Sequence, residues 1–152
     1  MARADASLRA FTGYRLRRTT SSAMSRMQTA FAAYGLRRTT YSTLSIIIAN
    51  PGLRQGQVAA ALAIERPNFV RIVDELEKAG LILREKAPDD KRAYALYATT
   101  RGTQLFEKAS AAVRSCEDML TKGLTTQQLD DFHHVLDTIA ENASKEDSQD
   151  VD

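Results

Sequence analysis

Cationic and amide side chains are concentrated at the start of the segment from Arg66 to Ala79, whose second half is acidic. A guanidinium matches the acceptors on a guanine edge, and an amide matches adenine. Carboxylates would repel phosphate, so the pattern predicts a helix that enters a DNA major groove by its N-terminal end. An ordinary solvated helix face stays an open alternative. The candidate DNA contacts in this helix are Arg66, Pro67, Asn68, Val70 and Arg71.

A second charged cluster, Asp90-Lys91-Arg92, lies in a polar loop between two apolar runs, residues 81–85 and 93–98. This arrangement predicts a β-hairpin with a charged tip. An arginine at such a tip can enter an AT-rich minor groove, where the negative potential is enhanced. A neighbouring carboxylate can hold that arginine extended. A charged tip is usually only solvated, so the DNA interpretation of Asp90, Lys91 and Arg92 depends on the elements around it.

The order of the predicted elements supplies that context. Apolar residues at three- and four-residue steps predict six helices, of which the fourth is the basic segment described above. The hairpin follows the fourth helix, and three helices followed by a two-stranded wing form a winged helix-turn-helix. We therefore predict a mainly α fold with a small β-hairpin wing. The predicted helices span about residues 7–34, 39–49, 55–62, 66–79, 100–120 and 126–142.

Composition narrows the functional class. The 152 residues contain one cysteine, Cys116, and no apolar run near the ~20 residues that span a bilayer. The N-terminus lacks a secretory signal, so we expect a cytoplasmic protein without a membrane partner. Cys116 lies on an apolar stripe, which favours a core thiol over a redox sensor. His133 and His134 are adjacent and point apart on a helix. We find no catalytic or metal-binding arrangement, and we expect neither an enzyme nor a cofactor.

Charge is distributed very unevenly along the chain. Residues 1–40 carry eight arginines and one acid, a net charge of +7. Residues 41–102 are at +2, with nine basic and seven acidic residues, and residues 103–152 are at −7, with four basic and eleven acidic residues. Such asymmetry indicates either that the two ends pack together or that one face meets a polyanion. Two ends that are simply solvated helices stay an open alternative.

Two stretches carry a specific resemblance. QVAAAL at 57–62 and VRIVDELEKAGLI at 70–82, with the DKRA wing at 90–93 and the TTRG start of the next helix, resemble the core of the MarR family of winged helix-turn-helix transcriptional regulators. The resemblance covers roughly residues 36–120. Residues 65–68 (ERPN) depart from the small polar residues more common there, which leaves the operator sequence open.

The resemblance implies a homodimer on a pseudo-palindromic double-stranded operator. Its organisation would be a helical dimerisation platform (residues 1–35 and 100–144), a winged helix-turn-helix DNA-binding domain (36–99) and an acidic tail (145–152). Similar proteins bind small aromatic anions between platform and winged domain, here the segment from Tyr34 to Tyr41. Guanidiniums there could pair with a carboxylate or phosphate beside an apolar wall. The candidate ligand contacts are Arg37, Arg38, Tyr41, Met27, Phe31 and Arg18.

Three segments, GLRRTTYSTLS (35–45), NPGLRQGQ (50–57) and AIERPN (63–68), resemble a branch of the family that controls catabolism of plant-derived aromatic acids. The inducers of that branch include hydroxycinnamoyl-CoA thioesters, which implies a repressor that such a ligand releases. A free phenolic acid or another signal stays open, as do contacts of these arginines with DNA phosphates or structural carboxylates. So does a winged-helix protein-interaction module without an operator. The repeat of LRRTT at 16–20 and 36–40 supports no conclusion.

Overall fold

Six α-helices and one hairpin make up the computed structural model, which describes residues 4–87 and 90–146, the side chains of residues 87, 90–93, 145 and 146 excepted. By contact the chain divides into two units, one ending at Cys116 and one beginning at Glu117. A 3-10 turn, Leu8–Ala10, precedes the first helix. The elements are α1 (Thr12–Ala32), α2 (Arg38–Ala49), α3 (Gln55–Ala61), α4 (Arg66–Lys78), β1 (Ile82–Ala87), β2 (Asp90–Ala98), α5 (Thr100–Leu120) and α6 (Thr126–Glu146).

The core of the first unit joins α2, α3, α4 and the hairpin. The apolar residues at helical spacing point into it, and each such side chain contributes about 1.5–3 kcal/mol by leaving water. The burial agrees with the predicted inner faces of α2 and α4. The largest fully buried side chains are Phe69, Leu44, Ile47, Leu76, Leu96, Val58 and Val73, with Thr40 and Thr43 among them.

The wing differs from the sequence prediction at its tip. Residues 87–92 were expected in a loop, but the backbone of Asp90, Lys91 and Arg92 lies in β2. Antiparallel pairing continues outward from Ile82↔Ala98 to Lys86↔Tyr94 and then shifts register so that Ala87 faces Asp90. Ladder hydrogen bonds satisfy backbone groups that a loop would leave to solvent, which favours the longer strand.

The segment between α2 and α3 pairs with β2 of the hairpin. Arg54 forms an antiparallel bridge with Ala95. The Gly52 amide donates to the Leu96 carbonyl at 2.9 Å, and the Leu96 amide donates to the Leu53 carbonyl at 3.0 Å. These bonds fix the wing to the helix-turn-helix, so the hairpin and α4 belong to one body.

Backbone geometry at Gly80 ends α4 and turns the chain into β1. Gly80 has φ +68°, a conformation that costs other L-residues about 1–2 kcal/mol. The Leu81 amide then donates to the Leu76 carbonyl at 3.0 Å, which closes the end of the helix. Gly80 therefore forms the C-terminal cap of α4.

Thr99 caps the N-terminus of α5. Its hydroxyl accepts a hydrogen bond from the Gly102 amide at 3.0 Å and donates to the Gly80 carbonyl at 2.8 Å. Gly102 faces the backbone of Leu81 so closely that a Cβ atom would lie 2.0 Å from the Leu81 carbonyl oxygen. Where the wing meets α5, position 102 therefore has no room for a side chain larger than the hydrogen of glycine.

The second unit holds the end of α5 and all of α6. Leu129, Leu136 and Ile139 of α6 are half-buried, and Phe132 is 48% exposed. An apolar stripe that stays in water lacks the burial that stabilises an amphipathic helix. None of the helices in the described part of the chain combines the length and apolar character needed to cross a membrane.

We expect Gly102→Ala to destabilise the protein by about 1–3 kcal/mol or more, because the added methyl group overlaps the Leu81 carbonyl. Thermal unfolding followed by circular dichroism measures the change. Gly13→Ala is the control, since nothing lies within 4 Å of a Cβ at that helical position, and it should be neutral or stabilising. Equal melting temperatures for Gly102→Ala and the parent would contradict the close approach.

Candidate nucleic-acid interface and ligand cavity

The N-terminal half of α4 presents the predicted polar face to solvent. Arg66, Pro67, Asn68 and Arg71 are exposed, and Val70 is 42% exposed. Phe69, Ile72, Val73 and Leu76 are buried on the opposite side and fix the orientation of the helix. Pro67 lies in the first turn, where its missing N–H costs no helical hydrogen bond.

The acidic half of α4 is tied to the wing on one flank. Arg84 of β1 binds Asp74, and it reaches a Glu77 carboxylate oxygen at 2.9 Å. Burial of the Arg84 guanidinium lowers its pKa, but the hydrogen bond to Asp74 and the charge of Glu77 outweigh burial and leave the pKa above its ordinary value. From their positions in the sequence these acids were expected only to repel phosphate, and their partner Arg84 could not be predicted, because β1 and α4 meet only in the folded unit.

The other flank of α4 is tied to α2. The Arg37 guanidinium forms an ion pair with the Glu75 carboxylate, with side chains 68% and 43% exposed respectively. Arg37 is held in place by Thr40, whose hydroxyl accepts from the Arg37 amide at 2.8 Å and donates to the Arg37 carbonyl at 2.9 Å. Asp74, Glu75 and Glu77 are therefore all paired with arginines.

The three wing candidates, Asp90, Lys91 and Arg92, have backbone positions in β2. Their side chains lie outside the described part of the chain, so their contact with DNA stays a prediction. The wing that carries them packs on α4 through β1. The body that holds the candidate helix also holds the candidate wing.

A cavity of about 470 Å³ lies beside the start of α2. It brings together four of the predicted ligand contacts: Met27, Phe31, Arg37 and Arg38. Five further lining residues were missed. Two of them, Met24 and Gln28, lie three residues before Met27 and Phe31 respectively, a spacing that places them on the same face of α1. The cavity is lined by Met24, Met27, Gln28, Phe31, Ala32, Leu36, Arg37, Arg38 and Thr39.

Two predicted contacts do not reach this cavity. The Tyr41 ring packs between Phe31 and Phe106, with centroids 4.9 and 5.1 Å away, and its hydroxyl lies 3.0 Å from the Ser110 hydroxyl. Tyr41 therefore forms part of the packing behind the Phe31 wall. Arg18 lies near the N-terminus, 3.4 Å from an Asp5 carboxylate oxygen. Hydrogen bonding to Tyr14 raises the pKa of Arg18 above its ordinary value.

The remaining reactive side chains form no cluster. Cys116 is half-buried on α5, and both histidines are exposed on α6. Within residues 4–87 and 90–146, no group of three or more His, Cys, Asp or Glu side chains could hold a metal ion.

Three helices followed by a hairpin that packs on the third define a winged helix-turn-helix protein. Residues 34–93 match the sequence model of the MarR family. A structure of the transcriptional repressor CouR bound to a 23-mer DNA duplex is 33% identical, covers 92% of this chain and 99% of its own, and superposes with a TM-score of 0.85. A structure of CouR bound to p-coumaroyl-CoA is 31% identical, with coverages of 92% and 98% and a TM-score of 0.79.

A further relative is the putative transcriptional regulatory protein for the hcr operon of Thauera aromatica, 40% identical over 70 residues. That match spans 46% of this chain and 42% of the relative's length, less than half of either protein. The chain belongs to the MarR family and is a transcriptional regulator with a DNA-binding winged helix.

We expect Arg84→Gln to weaken DNA binding roughly tenfold (~1.4 kcal/mol), because it leaves Asp74 and Glu77 unneutralised on the DNA-reading helix. Fluorescence anisotropy with a labelled promoter fragment measures the change. Arg101→Gln, which removes the same charge from an exposed site on α5, is the control. Adding Asp74→Asn and Glu77→Gln should restore binding. A variant that binds like its control would refute this role for Arg84.

Proposed function

We propose that the chain is a dimeric repressor that binds a pseudo-palindromic operator and that a small aromatic anion in the α1–α2 cavity releases it. The observation that carries the proposal is the cavity itself, where apolar side chains meet two arginines within one DNA-binding unit. Ligand sites are mostly apolar with a few well-placed polar groups, and most have volumes of about 300–1,000 Å³.

Operator reading by α4 is supported by its exposed Arg66, Asn68 and Arg71 together with the pairing of its acids. Bidentate contacts of arginine with guanine and of asparagine with adenine discriminate by about 1–3 kcal/mol each. Because the acidic side chains are neutralised by Arg37 and Arg84, α4 can approach phosphates without their full repulsion. Arg92 of the wing would add a minor-groove contact.

The positions of the exposed apolar side chains support a dimer. Of the ten large apolar side chains exposed in the described residues, seven fall within residues 1–35 and 100–144. Patches of this kind mark interaction sites, and we assign them to a second copy of this chain. They are Leu8, Phe11, Met119, Leu120, Leu124, Phe132 and Val135.

The ligand we propose is a hydroxycinnamoyl-CoA thioester. The methionine and phenylalanine walls suit the aromatic acyl group, and Arg37 and Arg38 suit the phosphates of the nucleotide, which would lie outside the cavity. The solved structure of CouR with p-coumaroyl-CoA supports this class through that protein's similarity to the chain. A free phenolic acid is the second candidate, since its carboxylate would also pair with an arginine. The regulated genes would then serve aromatic acid catabolism.

We expect Arg71→Ala to cost about 1–3 kcal/mol of operator affinity and to relax base preference, and Asn68→Ala to change that preference as well. Arg92→Ala should weaken binding to all sequences and lower the salt slope by about 1. Electrophoretic mobility shift at several salt concentrations, with the full operator and with a single half-site, measures the operator affinity, base preference and salt slope of the three variants. Half-sites should lie about 10–10.5 base pairs or a multiple apart. Indifference of the protein to DNA at low salt would refute the operator model.

We expect Arg38→Gln to weaken binding of p-coumaroyl-CoA by about 1.5–3 kcal/mol, because a charge-assisted bond to phosphate is lost. Arg38 lines the cavity, is exposed, and forms no side-chain hydrogen bond or ion pair with another described residue. Isothermal titration calorimetry measures the affinity, with p-coumaric acid and coenzyme A as comparison ligands. Arg101→Gln should bind like the parent. Unchanged affinity of Arg38→Gln would remove this residue from the site.

A further inference from the structure

We propose that Glu75 is a positioning residue that exchanges partners: it pairs with Arg37 when the cavity is empty and with Arg71 when an anionic ligand engages Arg37. The exchange would carry cavity occupancy to the DNA-reading face of α4. The release of Glu75 by a ligand rests on the proposed function. The effect of the Arg37–Glu75 pair on operator affinity concerns only the protein and DNA.

One guanidinium is shared by the two sites. Arg37 lines the cavity and at the same time binds Glu75 of α4. A phosphate or carboxylate in the cavity would therefore compete with Glu75 for the same donors. Arg38 lines the cavity too, but it has no ion pair with α4 in the described residues. Arg37 is thus the residue where a ligand charge and α4 meet.

Arg71 is the alternative partner on the DNA side. It stands one turn before Glu75, and side chains four residues apart on a helix are neighbours. Arg71 is exposed and forms no ion pair with any described residue while Arg37 holds Glu75. Once Glu75 is released, its carboxylate would draw the Arg71 guanidinium from the base acceptors that it is proposed to bind.

The competing partner of the Glu75 carboxylate is the Lys78 ammonium, three residues further on and also exposed. A pair between Glu75 and Lys78 would leave Arg71 free to bind DNA. The two exchanges therefore predict different results when Arg71 is removed.

The energetics suit an exchange. Exposed ion pairs are weak, and neither member of the Arg37–Glu75 pair is buried. A ligand can therefore displace the pair at little cost, and the coupling that this contact transmits is about two- to fivefold in operator affinity. This is the range in which the effect should be sought.

The first experiment needs no ligand. Operator affinity is measured by fluorescence anisotropy for Arg37→Gln and for Arg101→Gln, each with Glu75 and with Glu75→Gln. With Glu75 present, Arg37→Gln should weaken binding two- to fivefold more than Arg101→Gln, since Glu75 turns to Arg71. In the Glu75→Gln background this excess should vanish. An excess of equal size in both backgrounds would overturn the proposal.

The second experiment uses p-coumaroyl-CoA as the probe. For each protein we take the ratio of its operator affinity without the probe to its operator affinity with the probe. This ratio should be two- to fivefold smaller for Glu75→Gln than for the parent, while calorimetry shows that the probe still binds to the variant. Glu85→Gln removes the same charge from an exposed site on the wing, and its ratio should match that of the parent. Combined with Arg71→Ala, Glu75→Gln should no longer change the ratio. A persistent change would show that Glu75 acts without Arg71 and would overturn the exchange.

The two failures are distinguishable. If the parent protein neither binds the probe nor is released by it, the proposed ligand is wrong, and the ligand-free cycle, repeated in the Arg71→Ala background where the excess should also vanish, still decides whether Glu75 acts through Arg71. If the parent is released and Glu75→Gln responds equally, the proposed function stands and the exchange is overturned.

Discussion

Pairing of the acidic second half of α4 with arginines from elsewhere in the fold is the interaction on which the DNA-reading surface depends. Arg84 approaches one flank from β1, and Arg37 approaches the other from the start of α2. Without them α4, which we propose to approach DNA phosphates, would carry three uncompensated carboxylates. The same contacts fix α4 against the wing and against α2, so neutralisation and positioning come from the same bonds.

The two flanks differ in burial, and the difference suits different tasks. The Arg84 side chain is 20% exposed and binds the carboxylates of Asp74 and Glu77. These two ion pairs hold α4 against the wing. The Arg37–Glu75 pair is largely exposed and close to the cavity, so it can break at small cost. The proposed function requires both properties, because α4 would have to be held rigidly on DNA and yet respond to a ligand in the cavity.

The cavity wall is continuous with the core. Phe31 lines the cavity and also contacts the Tyr41 ring, which stacks on Phe106 of α5. The hydroxyl of Tyr41 lies within hydrogen-bond distance of Ser110, so its polar atom has a partner inside the protein. An aromatic ligand would therefore meet a wall whose rings are already held in place, and less side-chain freedom would be lost on binding.

Much of the fold followed from the sequence alone, because helical periodicity, Pro67, Gly80 and the hairpin pattern are local signals that short-range sterics and hydrogen bonding decide. The exposed face of α4 followed too, as did the placement of Met27 and Phe31 on one face of α1, since a helix face is set by spacing. The partners of Asp74, Glu75 and Glu77 and the packing of Tyr41 did not. These depend on contacts between residues distant in the chain, which only the assembled tertiary structure brings within bonding distance.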